Sequence, residues 1–150
     1  MMKAKTKNLI KLFAFLRVKM YYLNRGEIMI KFFRCRHCRK VIVKLVDANV
    51  PTICCGEPME EIVANTTDAA TEKHLPVVEK GRCKITVKVG SVPHPMTPEH
   101  YINFIVMAKT NGYEIRFLNP GDKPEATFKN DDYTEVYSYC NLHSLWMTKI

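Results

Sequence analysis

Seven short stretches after residue 64, alternating or continuously apolar and bounded by turn residues, predict an all-β sandwich, and four cysteines packed into 21 residues before them predict a small unit held by a metal. The expected architecture is a small metal-stabilised unit over residues 29–64, followed by an immunoglobulin-like antiparallel β-sandwich of about seven strands over residues 65–150. Residues 1–28 form a basic extension. No long helical pattern appears after Met29, and there is no internal repeat or low-complexity tract.

The extension holds Lys3, Lys5, Lys7, Lys11, Arg17, Lys19 and Arg25 against Glu27 alone. Three readings of it stay open. Leu9, Ile10, Leu12, Phe13, Phe15, Leu16 and Val18, interleaved with lysines, suit an amphipathic helix on anionic lipid. A signal sequence fits poorly, because Lys11 and Arg17 interrupt the apolar run, no small-residue cleavage site follows, and the run is too short to span a bilayer. In the third reading the natural protein starts at Met29, since Arg25-Gly26-Glu27-Ile28 can be encoded by a purine-rich run like a bacterial ribosome-binding site. The intact mass of the natively expressed protein decides among them.

The next segment carries Cys35-Arg36-His37-Cys38, fifteen intervening residues, and the adjacent pair Cys54-Cys55 before Gly56. The first pair can form a tight turn that aims both sulfurs at one ion, and the second sits on a strained corner that the glycine relieves. Four thiolates suit tetrahedral zinc or iron. Paired disulfides are the weaker reading, because no cleavable signal is evident and the remaining site chemistry needs reduced thiols. A segment this short cannot build its own core, so it is expected to depend on the ion and on dimerisation. His37, inside the turn, reads as solvated.

Downstream, Leu75 to Glu79 is a candidate strand. Lys84 to Val89 alternates at period two, as does Tyr113 to Phe117. Asn111-Gly112 separates the run Tyr101 to Lys109 from the run Tyr113 to Leu118, a hairpin signal because both residues tolerate positive φ. Ala126 to Lys129, Tyr133 to Tyr139 and Leu145 to Thr148 complete the set, and Asn119 to Pro124 is a connection.

Around these strands lie His74, His94, His100, Cys140 and His143, four of the five histidines with one cysteine. Imidazoles with a thiolate describe a transition-metal site. Structural zinc takes four ligands, so a fifth points to an octahedral metal with one open position. Prolines stiffen the His94–His100 loop, and the three-residue step from Cys140 to His143 lets one turn present both side chains.

At 150 residues and 47% hydrophobic content the chain can bury one sizeable core. Its net charge of +8 lies mostly in the extension, which carries +6 and leaves +2 for the body, so nucleic acid is not expected as a partner. Nor is a membrane, unless residues 1–28 are genuine.

The spacing Cys35-x2-Cys38-x15-Cys54-Cys55 followed by Gly56-Glu57-Pro58-Met59 resembles the desulforedoxin-type domain. Glu72-Lys73-His74, His94-Pro95-Met96-x3-His100 and Cys140-Asn141-Leu142-His143 resemble the iron centre of superoxide reductases. Together, over residues 29–150, the five motifs resemble the desulfoferrodoxin family of two-iron superoxide reductases. The resemblance implies one iron held by Cys35, Cys38, Cys54 and Cys55. It implies a second with His74, His94, His100 and His143 in a plane and Cys140 axial. Superoxide would be the substrate at the open position, Glu72 would close that position in the oxidised resting state, and Lys73 would line its mouth. A rubredoxin-like carrier would return the electron, in a cytoplasmic homodimer. Two alternatives compete: a zinc-loaded structural or nucleic-acid-binding module, and a superoxide dismutase. The first gives no reason for the histidine motifs, and a thiolate-ligated iron awaiting an external electron argues against the second.

Two residues depart from the pattern. Ser144 stands where the family commonly has glycine, so a positive φ there would carry strain. Cys83 belongs to neither site and reads as a half-buried strand residue.

Overall fold

The computed structural model describes residues 30–150. The extension lies outside the described residues, and with it the choice among its three readings.

The cysteine segment contains β1 (Phe32–Arg34), β2 (Val41–Val43), β3 (Ile53–Cys54), β4 (Glu57–Pro58) and β5 (Glu60–Ile62). β1 is central, paired antiparallel with β2 and β5, while β3 and β4 form a separate hairpin. Strands of two or three residues carry too little periodicity to announce themselves in the sequence. After them comes a single helical turn, α1 (Thr71–His74).

The seven expected strands all form: β6 (Pro76–Lys80), β7 (Lys84–Val89), β8 (Ile102–Lys109), β9 (Gly112–Phe117), β10 (Glu125–Lys129), β11 (Tyr133–Cys140) and β12 (Ser144–Lys149). They make two antiparallel sheets, ordered β10-β7-β6 and β12-β11-β8-β9. Ile85, Val87 and Val89 of β7, Phe128 of β10, Ile105 and Met107 of β8 and Val136 of β11 fill the space between the sheets. Burying these aliphatic and aromatic side chains contributes roughly 1.5–3 kcal/mol each.

The four-stranded sheet is covered on its outer face as well. Phe32 of β1 is buried against Val106, Ala108, Tyr137, Tyr139 and Leu145, with its ring 5.3 Å from that of Tyr137. Val41, Val43 and Ile62 pack beside it. β8 therefore buries alternate residues on opposite faces, which explains why its sequence is an apolar run and not an alternation. Asn65 ties the segment to the sheet edge: its N–H donates to the Leu145 carbonyl at 3.0 Å, and its side chain exchanges two hydrogen bonds with the Met147 backbone.

A register irregularity positions the metal end. Tyr139 pairs with Phe104 but Cys140 pairs with Ile102, so Asn103 is skipped as a bulge. Phe104, Val106 and Ala108 pack on the outer face; without the bulge Ile102 would follow them there, yet it joins the inner core with Ile105 and Met107.

Two expectations need correction. The β8–β9 hairpin exists, but Lys109 pairs with Gly112, so its turn residues are Thr110 and Asn111 and none of the three has positive φ. The hairpin does not use the glycine's freedom. Cys83 is exposed in the turn before β7, not half-buried in a strand; its carbonyl accepts the Asn130 N–H at 3.1 Å.

Candidate metal centres

The four cysteine sulfurs converge, lying within 4.8 Å of one another. Cys38 Sγ is 3.6 Å from Cys54 Sγ, which is 4.0 Å from Cys55 Sγ. Tetrahedral ligands about 2.3 Å from a metal stand about 3.8 Å apart, whereas a disulfide would need about 2.05 Å. All six cysteines are free. The first turn closes through the Cys35 N–H to the Lys40 carbonyl at 2.9 Å and the Arg39 N–H to the Cys35 carbonyl at 3.1 Å, with Arg39 at φ 63°. The second turns on Cys55 at φ 52° and Gly56 at φ 85°, the strained corner and its relief.

Crowding splits the acidities of these thiols. Backbone hydrogen bonding from Cys38, joined by that from His37, brings Cys35 down to about 6 despite its burial. Cys54 is pushed up to about 12 by its hydrogen bonds with the sulfurs of Cys38 and Cys35, and Cys55 is raised by the same neighbours. Four sulfurs this close cannot all ionise alone, and a bound cation removes that obstacle. His37 is exposed and faces Glu57 at 3.2 Å, away from any ligand role.

The second set forms at one end of the sandwich. β6 begins where β7 ends, since Pro76 pairs with Val89, and β8 begins where β11 ends, since Ile102 pairs with Cys140. His74 closes α1 just before β6. His94 and His100 lie in the loop from β7 to β8, Cys140 is the last residue of β11, and His143 sits in the turn to β12. Gly90 permits the close approach of that loop to α1. Its φ is 83°, and a Cβ there would stand 2.4 Å from the Val92 carbonyl oxygen and 2.8 Å from that of Glu72.

The four imidazoles form a closed ring. Successive pairs His74–His94, His94–His100, His100–His143 and His143–His74 have centroids 4.6 to 4.8 Å apart and planes at 76° to 82°. His74 and His100 face each other across the ring at 6.3 Å, close to the diagonal of a square. His74 Nε2 lies 2.9 Å from His143 Nδ1, the spacing of adjacent ligands about 2.1 Å from one ion. Nε2 of His94 and of His100 are buried with no hydrogen-bond partner. Orphaned ring nitrogens are costly unless a cation completes them, so these residues fit a metal.

Partners fix the tautomers. His74 Nδ1 donates to the Ala70 carbonyl and His94 Nδ1 to the Pro95 carbonyl, both at 2.6 Å, leaving each Nε2 to the centre. His143 is different, presenting Nδ1. Burial holds His94 down at about 4 and lowers His74 and His100 as well, which keeps them neutral as ligands.

Cys140 is fully buried, its Sγ 3.7 Å from His143 Nδ1. Burial pushes its thiol up, while hydrogen bonding from the backbones of His143 (N to Sγ 3.4 Å) and Leu142 opposes this. Ser144, which follows, has φ 64°, so the position does require the left-handed backbone and serine carries the strain.

Several supporting residues had no signal in the sequence. Trp146 stacks on His74 at 4.9 Å and donates its indole N–H to the His143 carbonyl at 3.0 Å. Ser138 donates to the His74 carbonyl at 3.0 Å. Asn141 clamps the turn to the histidine loop, accepting from the Tyr101 N–H at 3.0 Å and donating to the Glu99 carbonyl at 2.8 Å. Its place between two ligands was the one available hint.

Glu72 and Lys73 occupy exposed positions of α1 beside His74. Their charges reach the ring: Lys73 lowers the basicity of His74 and His100, and Glu72 raises that of His74. Neither side chain has a hydrogen-bond or ion-pair partner among the described residues.

The sequence model of the family described as Desulfoferrodoxin matches residues 66–149. A desulfoferrodoxin of Clostridium acetobutylicum is 51% identical over 109 residues, covering 72% of this chain and 87% of the relative. A superoxide reductase of Pyrococcus horikoshii is 36% identical over 99 residues, covering 53% and 86% respectively. The crystal structure of the superoxide reductase from Treponema pallidum superposes with a TM-score of 0.67 at 36% identity, over 81% of this chain and 99% of that one.

Proposed function

Because the chain belongs to the desulfoferrodoxin family, we propose that it is a superoxide reductase, an oxidoreductase that converts superoxide, one electron and two protons into hydrogen peroxide without releasing oxygen. The observation that carries this is the closed ring of four imidazoles beside one buried cysteine sulfur, with the Nε2 atoms of His94 and His100 buried and without a hydrogen-bond partner. We assign two irons per chain, one to Cys35, Cys38, Cys54 and Cys55 and one to His74, His94, His100, His143 and Cys140. Bound at the second set, iron supplies the electron, and the Cys140 thiolate raises the electron density there.

The chain's own residues do the rest. Ala70, Pro95 and Trp146 fix the rings, so no reorganisation is needed when charge changes. Lys73, exposed beside the ring, attracts the anionic substrate. Glu72, one residue earlier, is the carboxylate we assign to closing the open side in the resting state. Residues 29–64 and 65–150 are the two functional units in this reading.

A rubredoxin-like donor and a homodimer complete it. The exposed Leu45 and Phe117, next to a groove of about 320 Å³ lined also by Phe32, Val43 and Ile115, suit burial against a second copy. No helix among the described residues is long and apolar enough to cross a membrane. Six free cysteines suit a reducing compartment, so we place the protein in the cytoplasm.

The test is anaerobic purification with iron counting, then addition of superoxide to the reduced protein. Stoichiometric oxidation with peroxide formed and no oxygen evolved is expected. Oxygen evolution would favour a dismutase, and zinc at both sites without visible absorbance would favour a structural module. Lys73→Ala is expected to slow association with superoxide and flatten its ionic-strength dependence; an unchanged salt slope refutes steering.

A further inference from the structure

We infer that the polar cavity between the two metal centres is the docking point for an acidic electron-carrier protein, which delivers its electron there to the histidine centre through the Leu142–His143 turn. The inference rests on the superoxide-reductase reading, since only a reductase must be recharged from outside.

The cavity measures about 360 Å³, and its lining includes Arg34, Arg39, Glu60, Glu61, Leu142 and Ser144. Its walls come from both centres: Arg34 precedes Cys35 and Arg39 follows Cys38, while Leu142 and Ser144 flank His143.

Its lining carries two arginines and two glutamates, and both glutamates are engaged from outside it. Glu60 is engaged by Arg36, and Glu61 by Lys31 at 3.4 Å. Arg34 and Arg39 are in no ion pair among the described residues, although Arg34 stands cross-strand from Glu60, so the cavity presents two guanidiniums free to meet an incoming carboxylate surface. Leu142 supplies the apolar part. It is 52% exposed although it stands between two buried or half-buried ligands. An exposed apolar side chain beside free guanidiniums suits a protein surface that presents an apolar spot among carboxylates.

Leu142 also gives a short route inward. Its peptide leads directly to His143, whose backbone N–H donates to the Cys140 sulfur at 3.4 Å. One electron leaves the carrier's reduced centre and one arrives at the histidine-ligated centre, with no bond made or broken.

The experiment uses the iron-loaded protein and a purified acidic rubredoxin as the probe. Arg34→Glu and Arg39→Glu are compared with Lys129→Glu, an equal charge change on an exposed residue of β10 in the other sheet. The rubredoxin dissociation constant and the stopped-flow rate of re-reduction are measured across a salt series. The cavity variants are expected to weaken binding by about tenfold or more and to abolish the rise in affinity at low salt. Their cysteine-centre absorption and single-turnover oxidation by superoxide should match the parent. Unchanged binding and salt slope in both cavity variants, or an equal loss in Lys129→Glu, overturns the proposal. So does full protection of the cavity by inorganic phosphate with no effect on rubredoxin binding, which marks a small-anion site. Failure of the parent to be oxidised by superoxide would sink the reductase reading and is scored separately from the binding data.

Discussion

The two metal centres are built by opposite means. The cysteine centre hangs from two turns between strands of two or three residues, and two of its four ligands are exposed. The histidine centre is set into one end of a sandwich whose strands run to eight residues, and its rings are held by carbonyls and an indole that are themselves fixed. The difference teaches that the ion organises the first site, whereas the scaffold organises the second before any ion arrives. The split suits the proposed reductase: a site that must admit substrate needs a preset open side, which a site that only keeps its ion does not.

The sharpest way to break the contrast is at the ligands. Cys140→Ser is expected to leave a folded protein that still takes up some iron but loses its sulfur charge-transfer absorption and activity by about a hundredfold or more. Retention of both would remove Cys140 from the centre. Cys38→Ser is expected to empty the cysteine centre and strip amide-exchange protection from residues 31–62, while single-turnover oxidation by superoxide stays within about twofold. A parallel collapse of the histidine centre would show that the two sites are not independently organised.

Smaller changes sharpen it. Trp146→Phe keeps the stacking on His74 but removes the hydrogen bond to the His143 carbonyl, and a loss of about tenfold in metal affinity at the histidine centre is expected in competition with a chelator. No loss would mean that the turn holds itself. Ser144→Gly should relieve a left-handed serine, raising stability by about 0.5–1 kcal/mol and the melting temperature by about 2–4 °C. A fall would show that the buried serine side chain contributes more than the strain costs.

What the sequence disclosed follows the same divide. Strands of the sandwich were legible because period-two alternation in β7 and β9, and the apolar run in β8, are long enough to exceed chance. The two clusters of four and five candidate ligands that the fold brings together were legible because few other chemistries place cysteine and histidine at such spacings. The strands β1 to β5 were not, since three residues show no period. Asn141, Ser138 and Trp146 escaped notice because their partners are backbone groups brought close only by folding. The β8–β9 hairpin was foreseen for a reason its turn does not use, a reminder that Asn-Gly marks a bend more dependably than it marks the bend's geometry.

Phe32 has a consequence for how the protein could be divided. Its ring seals an aromatic and aliphatic patch formed by Val106, Ala108, Tyr137, Tyr139 and Leu145. Cutting the chain after residue 64 would therefore free a catalytic half with a sticky flank, prone to aggregate at concentrations the intact chain tolerates. Two units that chemistry tells apart are, as solutes, a single object.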